Sequence, residues 1–340
     1  MIKKRLPCIL SCLALIAVMT GCGMRTAGFS EPSTPWSEAF VCHTDHYTVH
    51  TDTSLETAAR IGAFMEKALT EYRALTGFED APSSRFVVNA YAARDRYEDI
   101  VRSLGLSENS TAGLYTPVPP AAIHLPCLRV SGVYPSATLL HEGTHQFIDQ
   151  VISFRPPPCN YNIDPTQQNR LMSVPVWLNE GLATYMEGAV TAEDSIETGR
   201  INRNRLVHLK KLIRSGTCPS LKEVLERRYG EPFTAEDYAV AWGIVYSLRH
   251  APGVEDQENR RTHLARYLAS CRRAFYADPD AEFTRDFLSG GKPQEDLRKR
   301  FAVHIARRSR EVFEEIVVGK DSTLYAWEED WKARILKIEP

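Results

Sequence analysis

The chain has 340 residues, 43% of them hydrophobic and 25% charged, an ordinary composition for a globular protein. Its 41 basic and 43 acidic residues leave a formal net charge of −2, so no basic footprint argues for a nucleic-acid partner. The length is enough for one large domain or two packed lobes around a sizeable core.

Residues 1–21 have the layout of a bacterial export signal. Lys3, Lys4 and Arg5 form a basic start, Leu10 to Met19 is mostly apolar, and Thr20-Gly21 precedes Cys22. The apolar run is short for a membrane span. A small-residue site ending in cysteine resembles the lipobox of bacterial lipoproteins. That resemblance implies cleavage before Cys22, a diacylglyceryl group on its thiol, and a membrane-anchored protein in the periplasm or at the cell surface. Met19 stands where leucine is usual, and the alternative is an ordinary cleavage that leaves Cys22 unmodified. No later run is apolar enough for long enough to cross a bilayer. Residues 22–36, with Ser and Pro, read as a tether. Beyond the anchor remain Cys42, Cys127, Cys159, Cys218 and Cys271. They cannot all pair; Cys127 and Cys159 flank one helix where a bridge could form, with buried free thiols as the alternative.

The alternation of His46 to Thr51 predicts a strand, and apolar residues at helical spacing (Ala58, Ile61, Phe64, Met65, Leu69) predict a helix over Ser54 to Leu75. A second strand over Arg85 to Tyr91 and a second helix near Asp95 to Leu104 follow. Gly113 to Thr116, a turn through Pro119-Pro120, and Ala122 to Leu125 read as a hairpin or sheet edge. Pro135-Ser136 opens a helix with Ser136 as N-cap, ending before Pro156-Pro157-Pro158. Residues 156–168 form a long polar loop. After it the pattern is helical: Pro175 to Glu187, Thr198 to Ser215, Leu221 to Arg228, Ala235 to Arg249, Asn259 to Tyr276, and weaker segments beyond Gly290-Gly291.

His141-Glu142-Gly143-Thr144-His145 lies within the helix that starts at Ser136. A spacing of i, i+4 turns both histidines onto one face, one turn apart, and Glu142 between them is close enough to act on water held there. Two such imidazoles and a carboxylate are the minimal set of a zinc hydrolase. The plainer alternative is a solvated helix whose histidines only line a polar face. Further along stands Asn179-Glu180-Gly181-Leu182-Ala183, in a second helical segment.

Together the two motifs resemble the gluzincins, zinc metallopeptidases that join His-Glu-x-x-His to a glutamate on a following helix within Asn-Glu-Gly-x-Ala. The resemblance runs from about Ala137 to Glu187, more loosely to about His250, and points to a secreted bacterial lipoprotein branch of that group. It implies an α+β fold with a sheet-and-helix lobe over residues 37–170, a mainly helical lobe over 171–340, and a cleft between them. It also implies one Zn2+ per chain on His141, His145 and Glu180, Glu142 as general base, and a peptide or protein substrate. Asn179 is then expected to hydrogen-bond a ligand imidazole, and a strand beside the metal helix to pair with substrate backbone. Tyr238, heading the segment to Tyr246, is the expected oxyanion donor, with Tyr246 as the rival assignment. Thr184 departs from the thermolysin-like members, which carry an aspartate there to orient a ligand histidine.

Other residues read as structural. Asp149, one turn beyond His145, is expected on the helix surface, with support of a ligand histidine as its alternative, and His124 as a structural histidine near the metal helix, with substrate contact as its alternative. Trp177, Leu182 and Tyr185 are expected to pack around the ligand helix. His43, His46 and His50 do not share one face of their strand-like segment. A noncatalytic relative that binds peptide or cell-wall polymer in the same cleft, and an envelope lipoprotein whose motif is accidental, are the competing classes.

Overall fold

A computed structural model describes residues 39–80, 84–103, 112–117, 121–126, 136–152, 174–192, 195–250, 257–276 and 294–339. The export segment, Cys22, the tether, Pro119-Pro120, Cys127, Cys159 and the loop over 156–168 lie outside the described residues.

The fold is α+β, with one mixed sheet near the N-terminus and helices after it. The sheet contains β1 (Phe40–His43), β2 (Tyr47–Thr51), β3 (Phe86–Tyr91), β4 (Leu114–Thr116) and β5 (Ala122–Pro126), in the order β1-β2-β3-β5-β4. Strands β2, β3 and β5 run parallel, and β1 and β4 close the two edges antiparallel. Helix α1 (Leu55–Thr76) makes the crossover from β2 to β3, while α2 (Arg94–Ser103) follows β3. Parallel neighbours require such connections.

Helix α1 forms where expected because its apolar stripe and both ends agree. Ala58, Ile61, Met65, Ala68, Leu69 and Tyr72 repeat at helical spacing and are buried. Ser54 caps the start by accepting from the Thr57 N–H, and Gly77 ends the helix with φ 76°, a left-handed conformation that suits glycine.

The expected hairpin is present, but Ala122–Pro126 is not the edge. Leu114 pairs with His124 and Thr116 with Ala122, so β5 is flanked on both sides and the three-residue β4 is outermost. His124 sits on this internal strand with Nδ1 2.8 Å from the Tyr91 hydroxyl and Nε2 3.3 Å from Thr116 Oγ1. Burial lowers its pKa to about 4, consistent with the structural role. His43, His46 and His50 each find a different partner, Thr48, Glu66 and Asn89.

Helix α3 (Ser136–Phe147) continues as a π-helical turn over Ile148–Ile152. Ser136 is its first residue rather than the residue before it, and the Ser136 hydroxyl pairs with Thr191 Oγ1 at 3.1 Å. Helix α4 (Val176–Glu187) follows, then a small hairpin of β6 (Val190–Thr191) and β7 (Ile196–Glu197) that the sequence pattern did not announce. Residues 198–202 are not helical, so α5 (Arg203–Ser215) starts later than expected, after Asn202, whose side chain accepts from the Arg205 N–H. Helix α6 (Leu221–Leu225) is shorter than expected and opens on a Ser220/Glu223 capping box. Helices α7 (Ala235–His250), α8 (Gln257–Tyr276), α9 (Gln294–Phe313) and α10 (Leu324–Lys337) complete the helical part.

Helix α4 is the spine of this part. From Val176 to Met186 every residue is buried, between α3 on one side and α7 on the other. Trp177, Leu182 and Tyr185 are packing residues, as expected, and Trp177 Nε1 donates to Ser309 Oγ at 2.9 Å. Cys42, Cys218 and Cys271 are free thiols. No helix among the described residues is long and apolar enough to cross a membrane.

Candidate metal centre

Both motif glycines are there for packing. A side chain at Gly143 would collide with the Tyr72 hydroxyl, which donates to the Leu140 carbonyl at 3.0 Å and ties α1 to α3. At Gly181 a Cβ would lie 2.8 Å from the Ala241 carbonyl oxygen, a backbone atom of α7 that cannot swing aside. The two glycines therefore let α1 and α7 close in on the helices carrying the polar residues.

Those polar residues are deeply buried. His145, Asn179 and Thr184 have no exposure, Glu180 is 2% exposed, and Glu142 and His141 only 5% and 7%. A buried carboxylate or imidazole is costly unless bonded, so every partner matters. Thr184 bonds its own helix, donating to the Glu180 carbonyl at 2.7 Å. His145 Nδ1 lies 3.0 Å from Asn179 Oδ1, the expected contact; since that oxygen only accepts, Nδ1 carries the hydrogen and Nε2 keeps its lone pair. Burial lowers the His145 pKa to about 4, which keeps the ring neutral.

His145 Nε2 and Glu180 Oε2 then face each other without a hydrogen-bond partner, 3.6 Å apart. His141 Nε2 stands 3.8 Å from the same carboxylate oxygen. One ligand atom from each of His141, His145 and Glu180 lies within 4.8 Å of the others. Two ligands at about 2.1 Å from a tetrahedral ion are about 3.4 Å apart, so these separations suit an ion between them better than direct hydrogen bonds.

The site is rich in carboxylates. Glu142 and Glu180 are buried in it, and the partly exposed Glu187 stands beside them with Arg205 Nη2 3.9 Å from its Oε2. The carboxylate field is visible on His141. Burial lowers its pKa, but Glu187, Glu142 and Glu180 together raise it to about 9. Burial in turn pushes Glu180 up to about 7 against the pull of His141, Tyr238 and Arg205.

Glu187 was not singled out in the sequence. It stands seven residues after Glu180, two turns along the same face of α4, and its Oε2 lies 3.5 Å from His141 Nδ1. It places a carboxylate beside His141 that Thr184, one turn earlier, does not offer. Its i+7 spacing was readable, but nothing in the chain order tied it to His141.

Glu142 is held from the sheet side. The Tyr115 backbone N–H, on edge strand β4, donates to Glu142 Oε2 at 2.8 Å. Burial still raises the Glu142 pKa, opposed by His141, His145 and that N–H. Asp149 is not on the surface: the π-turn carries it inward, where it is fully buried and accepts from the Tyr115 hydroxyl at 2.5 Å. Of the two tyrosines on α7, Tyr238 reaches the site. Its hydroxyl hydrogen-bonds the Glu180 carboxylate, and its ring lies between Phe233 and the Arg205 guanidinium. Tyr246 packs instead against Trp242 and His250.

Fold and site thus define an α+β protein with a buried His-His-Glu group that could hold a metal ion. A family model described as "Protein of unknown function (DUF1570)" matches residues 135–268. That match takes in His141, Glu142, His145, Glu180, Glu187, Arg205 and Tyr238, and leaves the sheet outside. No curated protein matches the chain.

Proposed function

We propose that the protein is an exported zinc metallopeptidase of gluzincin type, hydrolysing peptide or other amide bonds with Glu142 as general base. The observation that supports it most is the pair of unpartnered buried ligand atoms, His145 Nε2 and Glu180 Oε2, with His141 completing the group and Glu142 beside it. Zinc suits two imidazoles and a carboxylate, and when bound it polarises a carbonyl and makes water more acidic.

The chain's own residues do the rest. Asn179 holds His145 in orientation through its Nδ1, and Glu187 faces the Nδ1 of His141 at 3.5 Å and would bond it once an ion fixes the ring. Glu142 takes a proton from the attacking water and delivers it to the leaving amine. Its Oε2 is engaged by the Tyr115 N–H, so the other carboxylate oxygen is the one that moves the proton. Tyr238, whose hydroxyl hydrogen-bonds Glu180, would turn that hydroxyl to the oxyanion that develops on the scissile carbonyl. Metal analysis of the purified protein, together with cleavage of a mixed peptide library, tests the reading: about one zinc per chain and chelator-sensitive cleavage are expected. Stoichiometric zinc without cleavage of any peptide would leave a noncatalytic binder.

Tyr238→Phe separates two duties of that hydroxyl. As oxyanion donor its loss should lower kcat by about 10² to 10³ with zinc and KM nearly unchanged. If the hydroxyl serves only to steady Glu180, zinc affinity falls and the kcat of the fully loaded protein does not.

Export and anchoring belong to the same proposal. With lipid on Cys22, the membrane retains the protein because acyl chains contribute about 0.8 kcal/mol per buried CH2. Cys22→Ser should abolish metabolic lipid labelling, and labelling that persists would remove the anchor.

A further inference from the structure

Tyr115 is bonded twice to the segment that carries the site. Its backbone N–H reaches Glu142 Oε2 at 2.8 Å and its phenol reaches Asp149 Oδ2 at 2.5 Å. Glu142 and Asp149 are seven residues apart, two turns, so β4 lies across one face of α3 and its π-turn.

Neither the metal group nor the proposed chemistry uses Asp149. A fully buried carboxylate is nonetheless an expensive way to hold a phenol that an apolar contact would pack equally well. What the carboxylate adds is direction and a short hydrogen bond. Strand β4 needs such a restraint: it is three residues long and, among the described residues, lies at the sheet edge beside β5 alone. So short a strand has little pairing of its own to set its position along the helix. The π-turn is what brings Asp149 into reach, and such turns recur at functional sites.

We propose that Tyr115 and Asp149 form a positioning clamp for the base. The phenol, anchored on Asp149, sets the height of β4 against α3, so that the Tyr115 N–H meets Glu142 and fixes which carboxylate oxygen is left for the proton. The role of Glu142 in this statement rests on the metallopeptidase reading above; the clamp between β4 and α3 does not.

Tyr115→Phe, Asp149→Asn and the double variant of the full-length protein test it, with hydrogen exchange of the peptide spanning residues 112–117, metal content, kcat and KM as readouts. Removing the phenol oxygen should speed exchange of the β4 amides by about tenfold while the α3 amides keep their protection. It should also lower kcat by about 10- to 100-fold, with KM and metal content unchanged, because a small misplacement of a catalytic group costs that much. Asp149→Asn keeps an acceptor oxygen for the phenol and should act more mildly than Tyr115→Phe, and the double variant should be no worse than Tyr115→Phe alone. Should Asp149→Asn fail to fold, Tyr115→Phe, which deletes a single oxygen, carries the test. Wild-type exchange and kcat in Tyr115→Phe, with a change only in melting temperature, would overturn the clamp. Faster β4 exchange in a protein that cleaves no peptide would keep the clamp and remove the peptidase reading.

Discussion

Glu142→Gln is expected to abolish most turnover while leaving the metal in place. The amide keeps the size of the side chain and can still accept the Tyr115 N–H through its carbonyl oxygen, so the packing around it is preserved. It cannot take a proton from water. Turnover of any cleaved peptide should fall by a factor of roughly 10² to 10⁴ or more, with zinc content and melting temperature close to wild type. Undiminished turnover in this variant would falsify the proposed mechanism, whatever the metal content.

The second large effect concerns the ligands. His141→Ala and Glu180→Ala each delete one of three donors that converge on a single point, and each should leave little zinc bound after dialysis. Glu187→Gln should act more mildly, because it touches a ligand and not the ion. With the charge on the Nδ1 side of His141 removed, zinc affinity should drop by about 10- to 100-fold and be recovered at higher zinc concentration. A competition titration with a chromophoric chelator ranks the variants. Full zinc retention in Glu180→Ala would remove Glu180 from the ligand set and with it the gluzincin assignment.

Much of this was visible in the order of residues. Period located α1, β3, α3 and α7, since their apolar spacing agrees with the tertiary environment, and the caps of α1 agree as well. His141 and His145 were legible because their geometry is local: four residues on a helix dictate one face. Asn179 and Glu180 came from a motif, and the structure brings both to His145.

The errors have a common origin. Asp149 looked like a surface carboxylate because a straight α-helix does not reveal a π-turn at its end, nor a tyrosine waiting 34 residues upstream to receive it. β5 looked like an edge because strand order in a sheet is set by long-range pairing that no local pattern carries. The short β6–β7 hairpin escaped the local pattern for the same reason.

By itself the sequence determined what depends on neighbours along the chain: helix periods, caps, and the placing of two imidazoles and a carboxylate on one turn. Only the tertiary structure decided which groups from different elements meet. Burial of α4 between α3 and α7 faces Glu180 toward both histidines, brings the Tyr238 hydroxyl to the same carboxylate, and sets Glu187 behind His141. Across the sheet, the position of β4 brings the Tyr115 N–H within reach of Glu142. The reason is physical: charge and hydrogen-bond partners in a buried site are chosen by packing, and packing is a property of the whole core.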